Sequence, residues 1–431
     1  MLSVSTALER LRDCLSDDFP PSSGTRIFDI PFPLHDAFDP LLWCGHQAQW
    51  PQFYWLQRNG DEELAALGAV KTFPSLAGAH DFLQRQGLAD LRICGLNAFN
   101  PQEGRLFLPR LEWRRVGGKA TLRLLLNSET SLREDAIAAR AFLQALTPDQ
   151  AQPAALPPVL SEQHSPDYPQ WHALIEQATQ AIAAGEMDKV VLARATDVQF
   201  AAPPDPLAIV AASRRSNHRC FHFMMAFNAQ RTFFGSTPER LWRRRGTLLR
   251  TEALAGTVAS HPDDRQAQLL ADWLMKDDKN QRENMLVVED ICQRMQDEVR
   301  SLDVLPPQVV RLRKVQHLRR CIWAELSQPD DTHCLHQLQP TAAVAGLPRR
   351  AALAFITRHE PFTREWYAGS AGYLSLAQSE FCVALRSAQV ENATLRLYAG
   401  AGIVSGSDPE QEWQEIENKA AGLRSLLLTK T

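Results

Sequence analysis

Residues 398–423, YAGAGIVSGSDPEQEWQEIENKAAGL, leave the chain few options, because an apolar strand end spaced by glycines must turn directly into a helix. Gly400 and Gly402 carry no Cβ, so the backbone there is free to bend or to approach a ligand closely. Asp408 caps the helix, Pro409 takes its first position, and Gln411 stands three residues past the cap as in a capping box. On a helical projection Trp413, Ile416, Ala420, Leu423 and Leu427 share one buried stripe, with Glu410, Gln414, Glu417 and Arg424 opposite, in water. Glu412, Glu415 and Lys419 run along the border of the stripe. That strip suits a cation site or substrate clamp at the edge of the core. It equally suits a solvated Glu415 to Lys419 pair worth roughly 0.3 kcal/mol.

The 431 residues, 45% of them hydrophobic, suffice for a large core and about two or three domain-sized units. A net charge of -4 offers no electrostatic basis for a polyanion, so no nucleic-acid partner is expected. Residues 311–320, RLRKVQHLRR, are locally basic and read as a strand with its polar side in water and Leu312 and Leu318 packed inward. The eight cysteines lie far apart with no CxxC pair, as in a cytoplasmic protein with reduced thiols. Residues 2–16 read as an amphipathic helix, not a signal peptide, and no apolar run approaches the roughly 18 residues of a membrane span. The histidines show no HExxH-type spacing; His317 and His336 read as core residues, not metal ligands.

Along the chain, a strand is predicted over 26–32, then a hairpin of 52–56 and 64–73 closed through Asn59 and Gly60. Strands over 91–96, 106–115 and 120–126 follow, with helices near 75–86 and 131–146. Residues 147–169, rich in Pro, Gln and Ala without periodicity, read as a linker or surface crossing. A helix over 171–184 ends at Gly185 and a strand covers 189–195. More strands are predicted over 221–227, 231–235, 239–244 and 248–253. Residues 263–297 are mainly helical, with Glu283 and Asp290 about two turns apart on one face. After Pro340 come a loop, a short helix, and strands over 367–375, 380–389 and 394–401.

Taken together, the motifs resemble a known family. GEMDKVVLARA (185–195), FGSTPERL (234–241), EALAGT (252–257), DKNQRENMLVVEDI (278–291), PTAAVAGLP (340–348), REWYAGSAGY (364–373), VALRSA (383–388) and the C-terminal AGAGIVSGSDPEQEWQEIENKAAGL are similar to the chorismate-utilising enzymes. That family includes anthranilate, aminodeoxychorismate, isochorismate and salicylate synthases. So many motifs in one order are far more specific than a lone glycine motif. The N-terminal half, through IPFPLHDAFD (30–39), PQFYW (51–55) and LPRLEWRR (108–115), resembles the isochorismate synthases of the menaquinone pathway.

The resemblance implies an α+β fold in which two large, mostly antiparallel sheets pack together with helices outside. Residues 1–160 would contribute strands and helices to a common globule, and 165–431 would form the chorismate-binding catalytic region. Lys189 stands where isochorismate and salicylate synthases carry Lys and anthranilate synthase has Gln. Ala255 replaces the Lys nucleophile of many aminodeoxychorismate synthases, and no glutaminase segment is visible. Water is therefore the implied nucleophile, added at C2 of chorismate as the C4 hydroxyl leaves to give isochorismate. Gln339 departs from the His that many relatives carry before the Pro-Thr pair.

By the same resemblance Lys189 is the general base and Glu239 the general acid. Glu283 and Glu415 are the Mg²⁺ ligands, with Glu412 in the first or second shell of the ion. Tyr367, Arg386 and Lys419 hold the substrate's carboxylates, and backbone groups at Gly256, Thr257, Gly400 and Gly402 supply further donors. The protein is expected as a monomer or homodimer. Salicylate synthase and a siderophore-pathway isochorismate synthase remain open alternatives. A non-catalytic chorismate-binding subunit would be expected to lose Lys189, Glu239 or a metal carboxylate, and all are present.

Overall fold

The computed structural model describes residues 4–15, 18–34 and 38–427. The chain begins with α1 (Val4–Cys14), β1 (Gly24–Phe32), α2 (Pro40–His46), β2 (Gln52–Leu56), β3 (Glu62–Phe73), α3 (Leu76–Gln86), β4 (Ile93–Asn97), β5 (Gly104–Val116), β6 (Lys119–Ser128) and α4 (Leu132–Gln144). It continues with β7 (Val159–Ser165), α5 (Tyr168–Ala183), β8 (Lys189–Phe200), α6 (Pro206–Ser216), β9 (Phe221–Ala226), β10 (Arg231–Thr237), β11 (Arg240–Arg245), β12 (Leu248–Ala259), α7 (Asp264–Leu274) and α8 (Asp278–Met295). Then follow β13 (Val299–Val304), β14 (Gln308–Arg311), β15 (Val315–Leu326), α9 (Asp331–Leu338), β16 (Gly346–Leu347), α10 (Arg349–His359), β17 (Ser370–Leu374), β18 (Gln378–Val383), β19 (Ser387–Glu391), β20 (Thr394–Ile403) and α11 (Pro409–Leu427).

All the strand pairs are antiparallel. One sheet runs β1, β6, β5, β3, β2, β9, β10, β19, β20, β8, β7, with β16 beside the start of β8. The other runs β4, β17, β18, β11, β12, β15, with β13 and β14 both on β15. The long β5 belongs to both: its Gly104–Phe107 end pairs with β4 and its Leu111–Val116 end with β6. The expected α+β architecture of two large antiparallel sheets is thus present, and the two are continuous through one strand.

Strand alternation explains the core. On β2, Phe53 and Trp55 join the cluster holding Trp242 and Phe381 of the other sheet, while Tyr54 between them joins the cluster under α1, α2, α4 and α6. Successive side chains point to opposite faces, so strands buried on both sides read as unbroken apolar runs. A third cluster, with Trp171, Leu192, Ala401 and Ile416, seats α5 and α11 on β8 and β20. Gly60 has φ +78 in the β2–β3 turn and Gly185 has φ +77 after α5, as the sequence predicted.

The structure differs from the sequence reading in several places. Residues 147–169 include β7, an edge strand on β8 whose half-exposed side chains leave no apolar signature. The strand predicted over 380–389 is broken at Ala384–Arg386, where Arg386 has φ +48. The basic run 311–320 is not one strand: β14 ends at Arg311 and β15 begins at Val315, and Gln316 and His317 are buried along with Leu312 and Leu318. α2, α6 and α9 were not predicted, though α2 and α6 each start with an Asp cap and Pro in the first turn. Leu2, Ser3 and Ser16 of the predicted first helix, and His35 to Ala37 of IPFPLHDAFD, lie outside the described residues. Among the described residues no helix is long and apolar enough to cross a membrane.

Candidate active site

The C-terminal helix starts as predicted. Asp408 accepts from the Gln411 N–H at 3.0 Å, and Ile416, Ala420, Leu423 and Leu427 are buried. Trp413 is only half-buried, and Glu412 is buried in its place at 3% exposure. Glu417 and Arg424 are not in open water as predicted. Glu417 lies 2.6 Å from the buried Arg194 of β8, and Arg424 bridges Glu417 and Glu162 at 2.8 and 2.5 Å. The helix projection missed this because β7 and β8 cover that face.

Gly400 and Gly402 lie on β20 opposite Ala193 and Val191 of β8. Neither turns the backbone; their role is clearance. A Cβ on Gly400 would come within 2.7 Å of Tyr367 Oη, and one on Gly402 would collide with Glu283 Oε1 and press on Lys189 Cε. Gly256 does need its freedom, with φ +90 at an irregularity in β12 packed on Asn280.

These elements line a cavity bounded by Glu239, Gly256, Thr257, Glu283, Tyr367, Arg386, Gly400, Gly402 and Lys419. Lys189, the first residue of β8, is fully buried behind Gly402 with Nζ 2.9 Å from Glu283 Oε1. Glu412 and Glu415 line an adjoining space that shares Thr257, Glu283 and Gly402 with the first. Asp290 points elsewhere, paired with Arg294 at 2.7 Å. The Thr257 N–H, expected as a ligand donor, is taken by Asn280 Oδ1 at 2.9 Å. Gln339, where many relatives carry His, is buried and donates from Nε2 to Ala98 O at 2.6 Å.

Charge is distributed unevenly. Glu239 is buried, its Oε1 has no hydrogen-bond partner, and burial followed by the Glu252 charge pushes its carboxyl up to about 8. Burial and the neighbouring Glu415 and Glu283 charges push Glu412 up to about 7, against the pull of Lys279 at 3.2 Å. Each of the three predicted metal carboxylates faces a lysine: Glu283 to Lys189, Glu412 to Lys279, and Glu415 to Lys419 at 2.6 Å. Lys419 also donates to Gly400 O at 3.0 Å. Burial pushes the Tyr367 hydroxyl up to about 12 and holds the Arg386 guanidinium below its ordinary value.

Arg386 is partly buried and makes no ion pair among the described residues. It donates from Nη2 to His317 Nε2 at 2.7 Å, which leaves the ring proton on Nδ1, 3.0 Å from Thr257 Oγ1. Burial, then Arg386 and Lys419, keep His317 far below its ordinary value and neutral. His317 and Lys279 are site residues that sequence reasoning passed over. His317 reaches the cavity because it stands opposite Thr257 across β12 and β15, a register no local pattern shows.

The chorismate binding enzyme family matches residues 96–428 of the chain. The protein belongs to the chorismate binding enzymes. Within the family it is 66% identical over 428 residues to isochorismate synthase MenF of Escherichia coli strain K12, covering 99% of each chain. It is 40% identical over 396 residues to the corresponding protein of Pasteurella multocida, covering 91% of each. The crystal structure of the Escherichia coli menaquinone-specific isochorismate synthase superposes with a TM-score of 0.96 at 65% identity, over 98% of this chain and 99% of that one.

Proposed function

We propose that the protein is a Mg²⁺-dependent isochorismate synthase that converts chorismate to isochorismate for menaquinone formation. The observation that carries the reading is a cavity lined by a proton-bearing Glu239 and an arginine without an ion pair, with the buried Lys189 amine behind its Gly402 wall. Full-length likeness to the menaquinone-specific enzyme favours that pathway over a siderophore pathway. Eight free cysteines suit a reducing cytoplasm.

Arg386 supplies a charge-assisted, fork-shaped donor for a substrate carboxylate. Tyr367 and Lys419 add donors beside Gly400, where the absent Cβ leaves room. Lys189 takes a proton from the water attacking C2, and Glu239 gives its proton to the departing C4 oxygen. Glu239 needs the form that burial favours, an un-ionised acid. Ala255 offers no amine to compete with water.

The residues fit a magnesium ion. Glu283, Glu412 and Glu415 are crowded enough to raise Glu412 and are balanced here by lysines. No three acidic, His or Cys side chains converge on one point among the described residues. Magnesium does not require that, since it keeps waters and takes one or two carboxylates plus substrate oxygens. Glu283, Glu412 and Glu415 would hold the ion, which would supply positive charge to offset the substrate's carboxylate and act as a Lewis acid.

Product analysis tests the reading. Purified protein with chorismate and Mg²⁺ is expected to yield isochorismate, to stop with EDTA and to recover with Mg²⁺. Salicylate with pyruvate would favour a salicylate synthase, and indifference to EDTA would end the metal proposal. Gly402→Ala is expected to raise the Mg²⁺ concentration for half-maximal rate by roughly tenfold or more, because its Cβ displaces Glu283. An unchanged requirement would separate Gly402 from metal binding.

A further inference from the structure

Beside Glu239 stands a buried ion pair that the reaction as described does not use. Glu252, on β12, is 1% exposed, and its two oxygens accept from Arg58 Nη1 at 2.6 Å and Nη2 at 2.8 Å. Arg58 lies in the turn between β2 and β3, so the N-terminal part of the chain reaches the site here. The pair also holds the backbone on both sides of Glu239. Arg58 Nη1 donates to Pro238 O at 2.8 Å, and the Arg240 N–H donates to Glu252 Oε1 at 2.8 Å. Glu239 itself accepts at its carbonyl from the Val383 N–H at 3.0 Å and donates its N–H to Thr237 Oγ1 at 3.3 Å.

We propose that Arg58 and Glu252 are positioning residues for Glu239, fixing the backbone of residues 238–240 and keeping a permanent negative charge beside the acid so that it retains its proton. This rests on the reading of Glu239 as the general acid. A buried ion pair is weak evidence for a stabilising role, because desolvation offsets much of the attraction. Its hydrogen bonds to residues 238 and 240 give this one a specific task.

The electrostatics agree. Burial alone would raise Glu252, but the Arg58 guanidinium outweighs it and leaves the carboxyl below its ordinary value. Glu252 therefore stays ionised and is, after burial, the largest influence holding the proton on Glu239. Lys189 from β8, Arg386 from the β18–β19 break and Lys419 from α11 act in the opposite sense. Tyr367 and His317 face the same cavity as neutral groups. Two carboxyls are thus driven apart in proton affinity, the arrangement by which a site keeps one acid protonated at neutral pH.

The test is the pH–rate profile of the full-length, Mg²⁺-loaded enzyme with chorismate. In Glu252→Gln the alkaline limb of kcat is expected to move down by about one pH unit, giving a roughly fivefold loss near pH 8 that approaches tenfold above about pH 9 and recovers toward pH 6. A merely structural role would lower the rate equally at every pH. Arg58→Lys keeps the charge but loses the fork, so its kcat is expected to fall roughly tenfold with the limb in place. Wild-type rates there would remove the backbone-positioning half of the proposal. Should Glu252→Gln fail to fold, Arg58→Gln/Glu252→Gln leaves no unpaired ion and is expected to shift the limb in the same direction. An unmoved limb, with Glu239→Gln inactive, overturns this inference alone. A fully active Glu239→Gln overturns the acid assignment beneath it.

Discussion

Lys189→Gln is expected to reduce chorismate turnover by roughly a thousandfold, about 4 kcal/mol of transition-state stabilisation, within the range for loss of a general base. The amine is fully buried at the start of β8, between β16 and β20, and its Nζ lies 2.9 Å from Glu283. Glutamine occupies similar space and can still donate to Glu283, but it cannot take a proton from water. Mg²⁺-dependent chorismate binding is expected to persist, because Arg386, Tyr367 and the three carboxylates are untouched. Calorimetric titration beside a turnover assay checks both halves. Wild-type turnover would show that the base is another group.

The second large effect is expected in Glu239→Gln, a loss of roughly 10² to 10⁴ in kcat. The substitution should change stability by less than about 1 kcal/mol, because it replaces a carboxyl already un-ionised near neutral pH with a neutral amide of the same shape. Only the transferable proton is lost. The acid works in its protonated form, and burial with the Glu252 charge raises it to about 8. Wild-type kcat should therefore hold through neutrality and fall as pH rises past about 8. A carboxyl at its ordinary value would already be ionised at pH 7. Retained activity in Glu239→Gln, or a flat profile to high pH, would exclude it as the proton donor.

Much of the architecture was legible because its signals are local. The β2–β3 hairpin follows from Asn59 and Gly60, α11 from Asp408 and Pro409, and the end of α5 from Gly185. β7 did not, because an edge strand with half-exposed polar side chains carries no periodic signature. The break at Arg386 was hidden behind the apolar run 381–385, and an arginine carries no mark of the positive φ it adopts there.

The site divides in the same way. Lys189, Glu239, Glu283, Arg386 and Lys419 were reached through motif resemblance, and the fold gathers them around one cavity and its wall. The purpose of Gly400 and Gly402 was misjudged in part, since the constraint is side-chain clearance from Tyr367 and Glu283 and not a turn. Glu252 and Lys279 stand inside the quoted motifs but, like His317 and Arg58, were given no role, because their partners lie far away in the sequence.

The sequence by itself determined the elements, the faces they bury and the order of the motifs, since capping, glycine conformation and hydrophobic period act over a few residues. Only the tertiary structure decided which charges meet. Arg58 and Glu252 are 194 positions apart and yet share two hydrogen bonds, and the raised proton affinity of Glu239 comes from its burial and then from the Glu252 charge. Proton affinity is set by distance and dielectric in three dimensions, and neither is written in the spacing of residues along a chain.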